Sequence, residues 1–307
     1  MDISIIIPVY NEEANIIPLY KELKQAMDKI RKEYEVIFVD DGSNDGTFER
    51  LSEINRTDRN VRVIQFTKNF QKAAALTAGF KEAKGEAIVT IDGDLQDDPN
   101  EIKKILDEIK NCDLVVGWRY NRADKFTKKI ASSIFNRLVK FTTGIKIHDS
   151  DCNLRAIKDY VAKDLNIYGG LYRYIPIIAH NKGYVVKEVK VNHRKRLYGK
   201  SKYGAKRLFG GVLDLITIKF LISYTKKPMH LFGYFGFIST FIGSLFGLYL
   251  LIIKYVYNNP IANRPLLFLS ILLVLVGVQF FSIGLIGEMI TSYNQNAERQ
   301  YTIKRKL

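Results

Sequence analysis

The chain has 307 residues, 47% of them hydrophobic, and a formal net charge of +15. This length fits one α/β domain of ordinary size with a smaller unit beside it. The positive charge indicates a partner that carries negative charge, such as nucleic acid, anionic lipid or a phosphate-rich substrate. No nucleic-acid-binding motif accompanies the charge, so nucleic acid is not an expected partner. Cys112 and Cys152 lack metal-ligand spacing and indicate reduced thiols.

Short apolar runs alternate with helical patterns along the first two thirds of the chain. Strands are predicted at residues 3–9, 36–39, 61–66, 87–91, 113–116 and 184–191. Helices are predicted up to about residue 30 and at residues 47–55, 73–83 and 125–143, with another starting near residue 157. This alternation is typical of an α/β fold with a mainly parallel sheet covered on both faces. In such sheets, ligands bind beyond the carboxyl ends of the strands.

Two long apolar stretches near the end of the chain predict membrane-spanning helices. Residues 231–253 and 266–287 contain no charged residue, and each exceeds the roughly 20 residues that cross a bilayer core. A helix at residues 206–224 precedes them, lying either in the membrane interface or against a protein core. The predicted organisation is therefore a catalytic domain at 1–204, an interfacial helix region at 205–228, a transmembrane hairpin at 229–290 and a basic tail at 291–307.

Basic residues flank the hairpin at both ends and predict its orientation. Lys226 and Lys227 precede the first span, and Arg299 and Lys304 to Lys306 follow the second. Positively charged flanks usually remain in the cytoplasm. The first residues also lack a basic segment and a cleavage site of the signal-peptide type. We therefore expect a multi-pass protein of the cell membrane whose catalytic domain and termini are cytoplasmic.

The segment after the fourth predicted strand is rich in oxygen ligands. It reads Ile-Asp-Gly-Asp-Leu-Gln-Asp-Asp-Pro from residue 91 to residue 99. Asp92 and Asp94 are separated by one small residue, and Gln96 follows two positions later. Mg²⁺ or Mn²⁺ held in this way uses few protein ligands and completes its shell with substrate phosphates. An Asp-x-Asp sequence alone is also common in surface turns.

Two further segments give this motif its context, because they follow the first and second predicted strands. They are Ile-Pro-Val-Tyr-Asn-Glu at residues 7–12 and Val-Asp-Asp-Gly-Ser-Asn-Asp-Gly-Thr at residues 39–47. Together the three segments resemble the family 2 glycosyltransferases, which have a GT-A nucleotide-sugar-binding fold. The Asp-Leu-Gln-Asp-x-Pro ending resembles dolichol-phosphate mannose synthase and the bacterial polyprenyl-phosphate glycosyltransferases. The resemblance covers about residues 1–204.

The resemblance implies a role for each matching residue of the donor site. Pro8, Tyr10 and Glu12 would line the nucleotide pocket, Phe38 and Asp40 would hold base and ribose, and Asp92 and Gly93 would contact the nucleotide. Asp94 and Gln96 would hold the metal against the diphosphate, and Arg119 would bind donor phosphate. The catalytic residues would be Asp94, Arg119 and an acid that is either Asp149 or Asp151. We favour Asp151, although that side chain could instead cap a helix near residue 157.

The segment at residues 196–202 matches the Arg-x-Tyr-Gly-x-Ser-Lys sequence of the members that use a lipid phosphate. Its arginine, hydroxyl and lysine can surround an anion. Arg196, Ser201 and Lys202 are therefore predicted to bind the acceptor phosphate. The alternative is a solvated basic surface.

The implied activity is inverting transfer of a hexose from a nucleotide-sugar of the GDP-mannose or UDP-glucose type to a polyprenyl or dolichyl phosphate. The expected partners are the donor, the lipid acceptor and the bilayer, and a homo-oligomer is compatible with the sequence. A processive polysaccharide synthase is one alternative, but it would carry Gln-x-x-Arg-Trp, whereas the single tryptophan here is Trp118. A non-catalytic nucleotide-sugar sensor is another, but it would lack the metal carboxylates.

Overall fold

The computed structural model describes residues 1–120, 145, 147–194, 217, 220, 224, 227–261 and 264–295. These residues fall into two compact units, one within Met1–Ile216 and the other within Thr217–Leu307. The predicted helices at 125–143 and 206–224, the acceptor segment at 196–202 and residues 296–307 of the basic tail lie outside the described residues, apart from positions 217, 220 and 224.

The first unit contains a mainly parallel sheet, as the sequence predicted. Its strands are β1 (Ile3–Val9), β2 (Tyr34–Asp40), β3 (Val61–Gln65), β4 (Ala87–Thr90), β5 (Leu114–Arg119), β6 (Arg155–Lys158) and β7 (Val186–Val191). In the described part of the chain they are ordered β3-β2-β1-β4-β6-β5-β7. All adjacent pairs are parallel except β4/β6 and β5/β6.

Helices follow most strands of this unit. They are α1 (Glu13–Ile30), α2 (Thr47–Thr57), α3 (Gln71–Glu82), α4 (Ile102–Glu108), α5 (Asp159–Asp164) and α6 (Ile175–Asn181), with short 3-10 segments at Pro99–Glu101, Ile109–Asn111 and Gly169–Tyr174. The central strands are buried on both faces, so that Ile6 and Ile7 of β1 and Ile37 of β2 are inaccessible to solvent. This explains why their sequences read as continuous apolar runs.

The structure corrects the prediction of a helix starting near residue 157. Arg155–Lys158 is instead strand β6, inserted between β4 and β5 and antiparallel to both. Ala156 and Ile157 are fully buried. Four residues are too few to display a hydrophobic period, and the pairing with strands distant in sequence decides their conformation. The helix begins at Asp159, so Asp151 does not cap it.

The second unit is a pair of long apolar helices, α7 (Pro228–Tyr255) and α8 (Pro265–Gln295). Their most apolar stretches have mean hydropathies of 2.0 and 2.6, and only 22% and 11% of those stretches are buried inside the protein. A core helix of a soluble protein would be mostly buried, so this exposure favours lipid contact. A 28-residue helix is about 42 Å long, enough to cross a hydrocarbon core of ~30 Å.

Small residues allow α7 and α8 to approach closely. A Cβ atom on Gly236 would lie 2.9 Å from the Gly277 carbonyl oxygen, and one on Gly277 would lie 2.1 Å from the Thr240 hydroxyl. The Ser270 hydroxyl donates a 2.8 Å hydrogen bond to the Gly243 carbonyl. Close backbone approach and interhelical hydrogen bonds are the usual stabilising contacts between helices in lipid.

Candidate active site

The loops that follow β1 and β2 are joined by hydrogen bonds. The backbone N–H of Asn11 donates to the Ser43 hydroxyl at 2.9 Å, and the N–H of Asn44 donates to the Asn11 side-chain oxygen at 2.8 Å. The N–H of Glu12 donates to the Thr47 hydroxyl at 2.9 Å. These contacts bring two of the motif segments together at the carboxyl edge of the sheet.

A polar pocket of about 370 Å³ lies beside these loops. It is lined by Tyr10, by residues 42–44 and by residues 65–69. Asp40 is fully buried, and it accepts hydrogen bonds from the Ser43 backbone N–H at 3.0 Å and from the Gln65 amide at 3.4 Å. Two lining residues therefore fix this carboxylate, and its contact with base or ribose stays a prediction.

Phe38 does not lie in this pocket. The resemblance implied that it would hold the base or ribose, but its side chain is fully buried in the sheet core, where it is paired with Ile7 of β1 and Val63 of β3. Any contact of Phe38 with base or ribose would therefore have to come from its backbone, and this assignment stays a prediction. Pro8 and Glu12, in contrast, are only partly buried.

The segment after β4 presents Asp92, Asp94 and Gln96 on one side. These three are partly exposed, whereas Gly93 and Leu95 between them are buried. The N–H of Gln96 donates to Asp94 Oδ1 at 3.2 Å, which fixes the local turn. A Cβ atom at Gly93 would come within 2.7 Å of a Val9 methyl group. Glycine is therefore required here for packing against β1, in addition to the predicted contact with nucleotide.

Lys72 forms an ion pair with Asp92, and sequence reasoning missed it. The Asn153 amide also donates to the other oxygen of Asp92, at 2.8 Å. Burial alone would lower the pKa of Lys72, but the adjacent carboxylate raises it above its usual value. Burial would likewise raise the pKa of Asp92, but Lys72 and Asn153 lower it. Both groups are therefore charged at neutral pH.

Asp97 lies just beyond the proposed metal ligands and is buried. Burial raises its pKa to about 7, and the charges of Asp92 and Asp94 act in the same direction. A concentration of carboxylates with perturbed pKa values is typical of functional sites.

Arg119, at the end of β5, pairs with Asp149 in a two-pronged arrangement. Its Nε and Nη2 atoms donate to the two carboxylate oxygens of Asp149 at 2.7 and 2.9 Å. Burial disfavours the charged guanidinium, but the hydrogen bonds and charge of Asp149 raise the pKa of Arg119 well above its usual value. The pairing uses two of the five N–H donors of an arginine.

The two candidate acids of this loop differ in their surroundings. The Asp149 side chain is 3% exposed, and its backbone N–H donates to Glu188 at 2.9 Å. The Asp151 side chain is 32% exposed and lies 3.7 Å from Arg173 Nε. The Asp149 carboxylate is thus buried in its ion pair with Arg119, while the Asp151 side chain is accessible to solvent. The choice of Asp151 over Asp149 as the site acid stays a prediction.

Residues 4–165 match the family described as Glycosyl transferase family 2. The chain belongs to this family. It is 36% identical to the dodecaprenyl-phosphate galacturonate synthase of Rhizobium johnstonii, over 99% of this chain and 93% of that protein. It is 33% identical to the undecaprenyl-phosphate 4-deoxy-4-formamido-L-arabinose transferase of Aeromonas hydrophila, over 94% of this chain and 88% of that protein.

A solved structure of similar fold is glucosyl-3-phosphoglycerate synthase from Mycobacterium tuberculosis, in complex with Mn²⁺, uridine diphosphate and phosphoglyceric acid. The TM-score is 0.56 and the sequence identity 16%, over 72% of this chain and 78% of that chain. This likeness confirms the GT-A fold expected for a family 2 protein.

The family 2 motifs did not predict three contacts of this site. Two are those of Lys72 and Asn153 with Asp92, and the third is the pairing of Arg119 with Asp149. Lys72 and Asn153 lie 20 and 61 residues from Asp92 in sequence, and Asp149 lies 30 residues from Arg119. The sequence did offer a signal for Lys72, namely its position at the start of a predicted helix following the third strand. Such helix starts lie at the ligand-binding edge of a parallel sheet.

Proposed function

We propose that this family 2 protein transfers the sugar of a nucleotide-sugar to the phosphate of a polyprenyl phosphate. The observation that carries the proposal is the similarity to a dodecaprenyl-phosphate sugar transferase at 36% identity across 99% of the chain. A similarity of this extent includes both the sheet and the apolar hairpin. The hairpin would keep the enzyme beside a water-insoluble acceptor.

The comparisons support sugar transfer to a lipid phosphate, but not the narrower expectation of a GDP-mannose or UDP-glucose donor. The relatives are named for galacturonate and for 4-deoxy-4-formamido-L-arabinose. We therefore extend the proposed donors to include uronates and modified pentoses.

In the proposed donor complex, the nucleoside occupies the pocket beside Tyr10, with Asp40 accepting from its base or ribose. Pro8, near the end of β1, and Glu12, just after it, lie on either side of Tyr10 in the sequence. The donor then extends past Asp92 and Gly93, with its diphosphate beside Asp94 at the end of β4. Arg119 would contact phosphate through the N–H groups that Asp149 does not use.

The donor set after β4 fits a divalent cation. Asp94 and Gln96 offer carboxylate and amide oxygens, the ligand types that Mg²⁺ and Mn²⁺ accept. Within the described residues, no group of three or more His, Cys, Asp or Glu is arranged to hold a metal, so a cation here would take most of its ligands from the diphosphate and water. When bound, it would supply positive charge to the departing diphosphate. The Mn²⁺ and uridine diphosphate in the M. tuberculosis enzyme support this proposal.

The acceptor needs little activation, because a phosphate monoester oxygen is already anionic. It would attack the anomeric carbon directly, with inversion, while the bond to the diphosphate breaks. The protein then contributes to catalysis by orienting the acceptor and the donor and by stabilising the charge of the departing diphosphate. In this proposal Arg119 acts on the phosphate side, and Asp151 is the site acid. Arg196, Ser201 and Lys202 remain our predicted acceptor-phosphate ligands.

We also propose that the first unit and both termini are cytoplasmic, on the basis of the basic flanks of the hairpin. Asn259 lies in the connection between α7 and α8. A single cysteine placed there in a cysteine-free variant should react with an impermeant thiol reagent added to intact cells. Labelling only after permeabilisation would contradict this orientation.

The proposed function is tested with purified full-length protein, undecaprenyl phosphate and Mn²⁺. The donors are UDP-glucose, UDP-galacturonate, GDP-mannose and UDP-4-deoxy-4-formamido-L-arabinose, offered separately. Mass analysis of the lipid fraction should show one sugar added to the lipid phosphate with at least one donor. Nucleotide release without any glycolipid product, across the panel, would contradict transfer to a lipid phosphate.

A further inference from the structure

A polar cluster at the end of β4 connects three separate segments of the chain. Lys72 lies in the first turn of α3, Asp92 lies just after β4, and Asn153 precedes β6. Asp92 accepts from the Lys72 ammonium through one oxygen and from the Asn153 amide, at 2.8 Å, through the other. The side chains of Lys72 and Asp92 are 19% and 26% exposed. The pair is therefore recessed but open to a ligand.

The order of strands indicates which part of the donor would lie there. The nucleoside pocket is lined by residues that follow β1, β2 and β3, and the proposed metal ligand Asp94 follows β4. Strand β6 is the next strand beyond β4. With strands about 4.8 Å apart, an extended donor that starts over β2 would reach the β4–β6 edge after its diphosphate. The group that follows the diphosphate is the sugar.

We propose that Lys72 and Asp92 together bind hydroxyl groups of the donor sugar, and that Lys72 is a specificity-determining residue. This inference rests on the proposed function. An ammonium group has three N–H donors and a carboxylate has about four acceptor positions, so each can bind a second group besides its partner. A sugar hydroxyl both donates and accepts, which matches a donor beside an acceptor.

The charge of the pair selects a class of ligand. Lys72 and Asp92 neutralise each other, so the cluster has no net charge to offer a carboxylate or phosphate. Uncharged hydroxyls are therefore the better match, and a uronate donor would direct its carboxylate elsewhere. The ring of Tyr172, 5.5 Å from the Lys72 ammonium, further limits the positions available to that ammonium.

The test compares Lys72→Met with the wild-type full-length chain. Lys103→Met is the matched control, because Lys103 forms an exposed ion pair with Asp107 on α4. Calorimetry with UDP, GDP and Mn²⁺ measures nucleotide binding without sugar. Steady-state transfer then uses the donor that the panel identifies, together with monodeoxy analogues of that donor. Lys72→Gln, which keeps a donor for Asp92, replaces Lys72→Met if the latter does not fold.

We expect Lys72→Met to reduce kcat/KM for the nucleotide-sugar by roughly 10- to 100-fold, the size of one lost charge-assisted hydrogen bond. Affinity for the nucleoside diphosphate should change by less than about threefold. One deoxy analogue should be a poorer donor than the complete nucleotide-sugar for the wild type. For the variant the two donors should react equally well, because the variant lacks the ammonium that binds the missing hydroxyl.

A loss of nucleoside diphosphate affinity equal to the loss of kcat/KM would overturn this assignment, since Lys72 would then act on the nucleotide or on the fold. Additive effects of the variant and every deoxy analogue would overturn it as well. Failure of the wild type with every donor would instead overturn the proposed function, and this inference with it.

Discussion

Replacing Asp149 by asparagine removes one charge from the ion pair that holds Arg119. The carboxylate accepts two charge-assisted hydrogen bonds, at 2.7 and 2.9 Å, and its side chain is 3% exposed. Removing one member of a fully buried pair costs about 3–5 kcal/mol. Arg119 retains 15% exposure, so water can partly solvate it, and we expect a loss of about 2–4 kcal/mol. For domains of about 150–250 residues, this lowers Tm by roughly 4–16 °C.

The comparison with Asp151→Asn makes this prediction specific. Asp151 is 32% exposed, and its ion pair with Arg173 has a length of 3.7 Å. Such pairs contribute less than about 1 kcal/mol, so Tm should change by at most about 4 °C. Transfer by this variant should nevertheless fall at least tenfold if Asp151 is the site acid. Asp107→Asn, in an exposed pair with Lys103, controls for the loss of a surface carboxylate.

Both quantities are measured on full-length protein in the same detergent, with Tm from circular dichroism and transfer from the lipid product. An unchanged Tm for Asp149→Asn would refute the structural role given to that carboxylate. Normal transfer by Asp151→Asn, with transfer lost only in Asp149→Asn, would reverse the assignment of the site acid.

Three further outcomes are expected. Asp94→Asn should nearly abolish transfer while leaving Tm within about 2 °C, and full turnover of that variant in EDTA would contradict metal binding there. Burial would raise the pKa of Glu35, but hydrogen bonds from Ser4 and Lys84 and the Arg62 guanidinium lower it. Its stabilisation is then present above the usual carboxyl pKa and is lost as the pH falls through the folded value. Glu35→Gln should therefore lower Tm at pH 7 and much less at pH 3, and an equal loss at both would refute the linkage. Lys202→Ala should reduce transfer about 10- to 100-fold with donor affinity unchanged, and an equal loss of donor affinity would move Lys202 to the diphosphate.

The parts of the fold that were predictable from the sequence are those in which local pattern and tertiary environment agree. β1 and β2 are mostly apolar because both of their faces are covered, and their bounds were predicted within two residues. The same reasoning should have placed Phe38 in the core, since it lies in the middle of such a run. The resemblance to a family motif assigned Phe38 to the nucleotide site without showing that its side chain is buried.

The parts that were missed depend on contacts between distant segments. Nothing in the four residues of β6 distinguishes a strand from a helix start until β4 and β5 are beside them. Likewise, the motif containing Asp92 shows its oxygen ligands, but not that Lys72 and Asn153 occupy two of its acceptor positions. Asp149 and Asp151 are only two residues apart, so sequence spacing does not show which of them pairs with Arg119. The side-chain geometry of the folded protein decides it.

The reversed direction of β6 has a consequence for how such an enzyme can diverge. A parallel strand would place its carboxyl end at the ligand edge, but β6 enters the sheet at that edge, so the loop containing Asn153 lies beside the end of β4. The nucleoside loops follow β1, β2 and β3, whereas this loop belongs to a strand inserted later in the chain. Substitutions in it need not disturb nucleotide contacts. If the donor sugar contacts Lys72 and Asp92 as proposed, substitutions in this loop would change sugar preference without changing the residues that line the nucleoside pocket. The two relatives compared above are named for chemically different sugars.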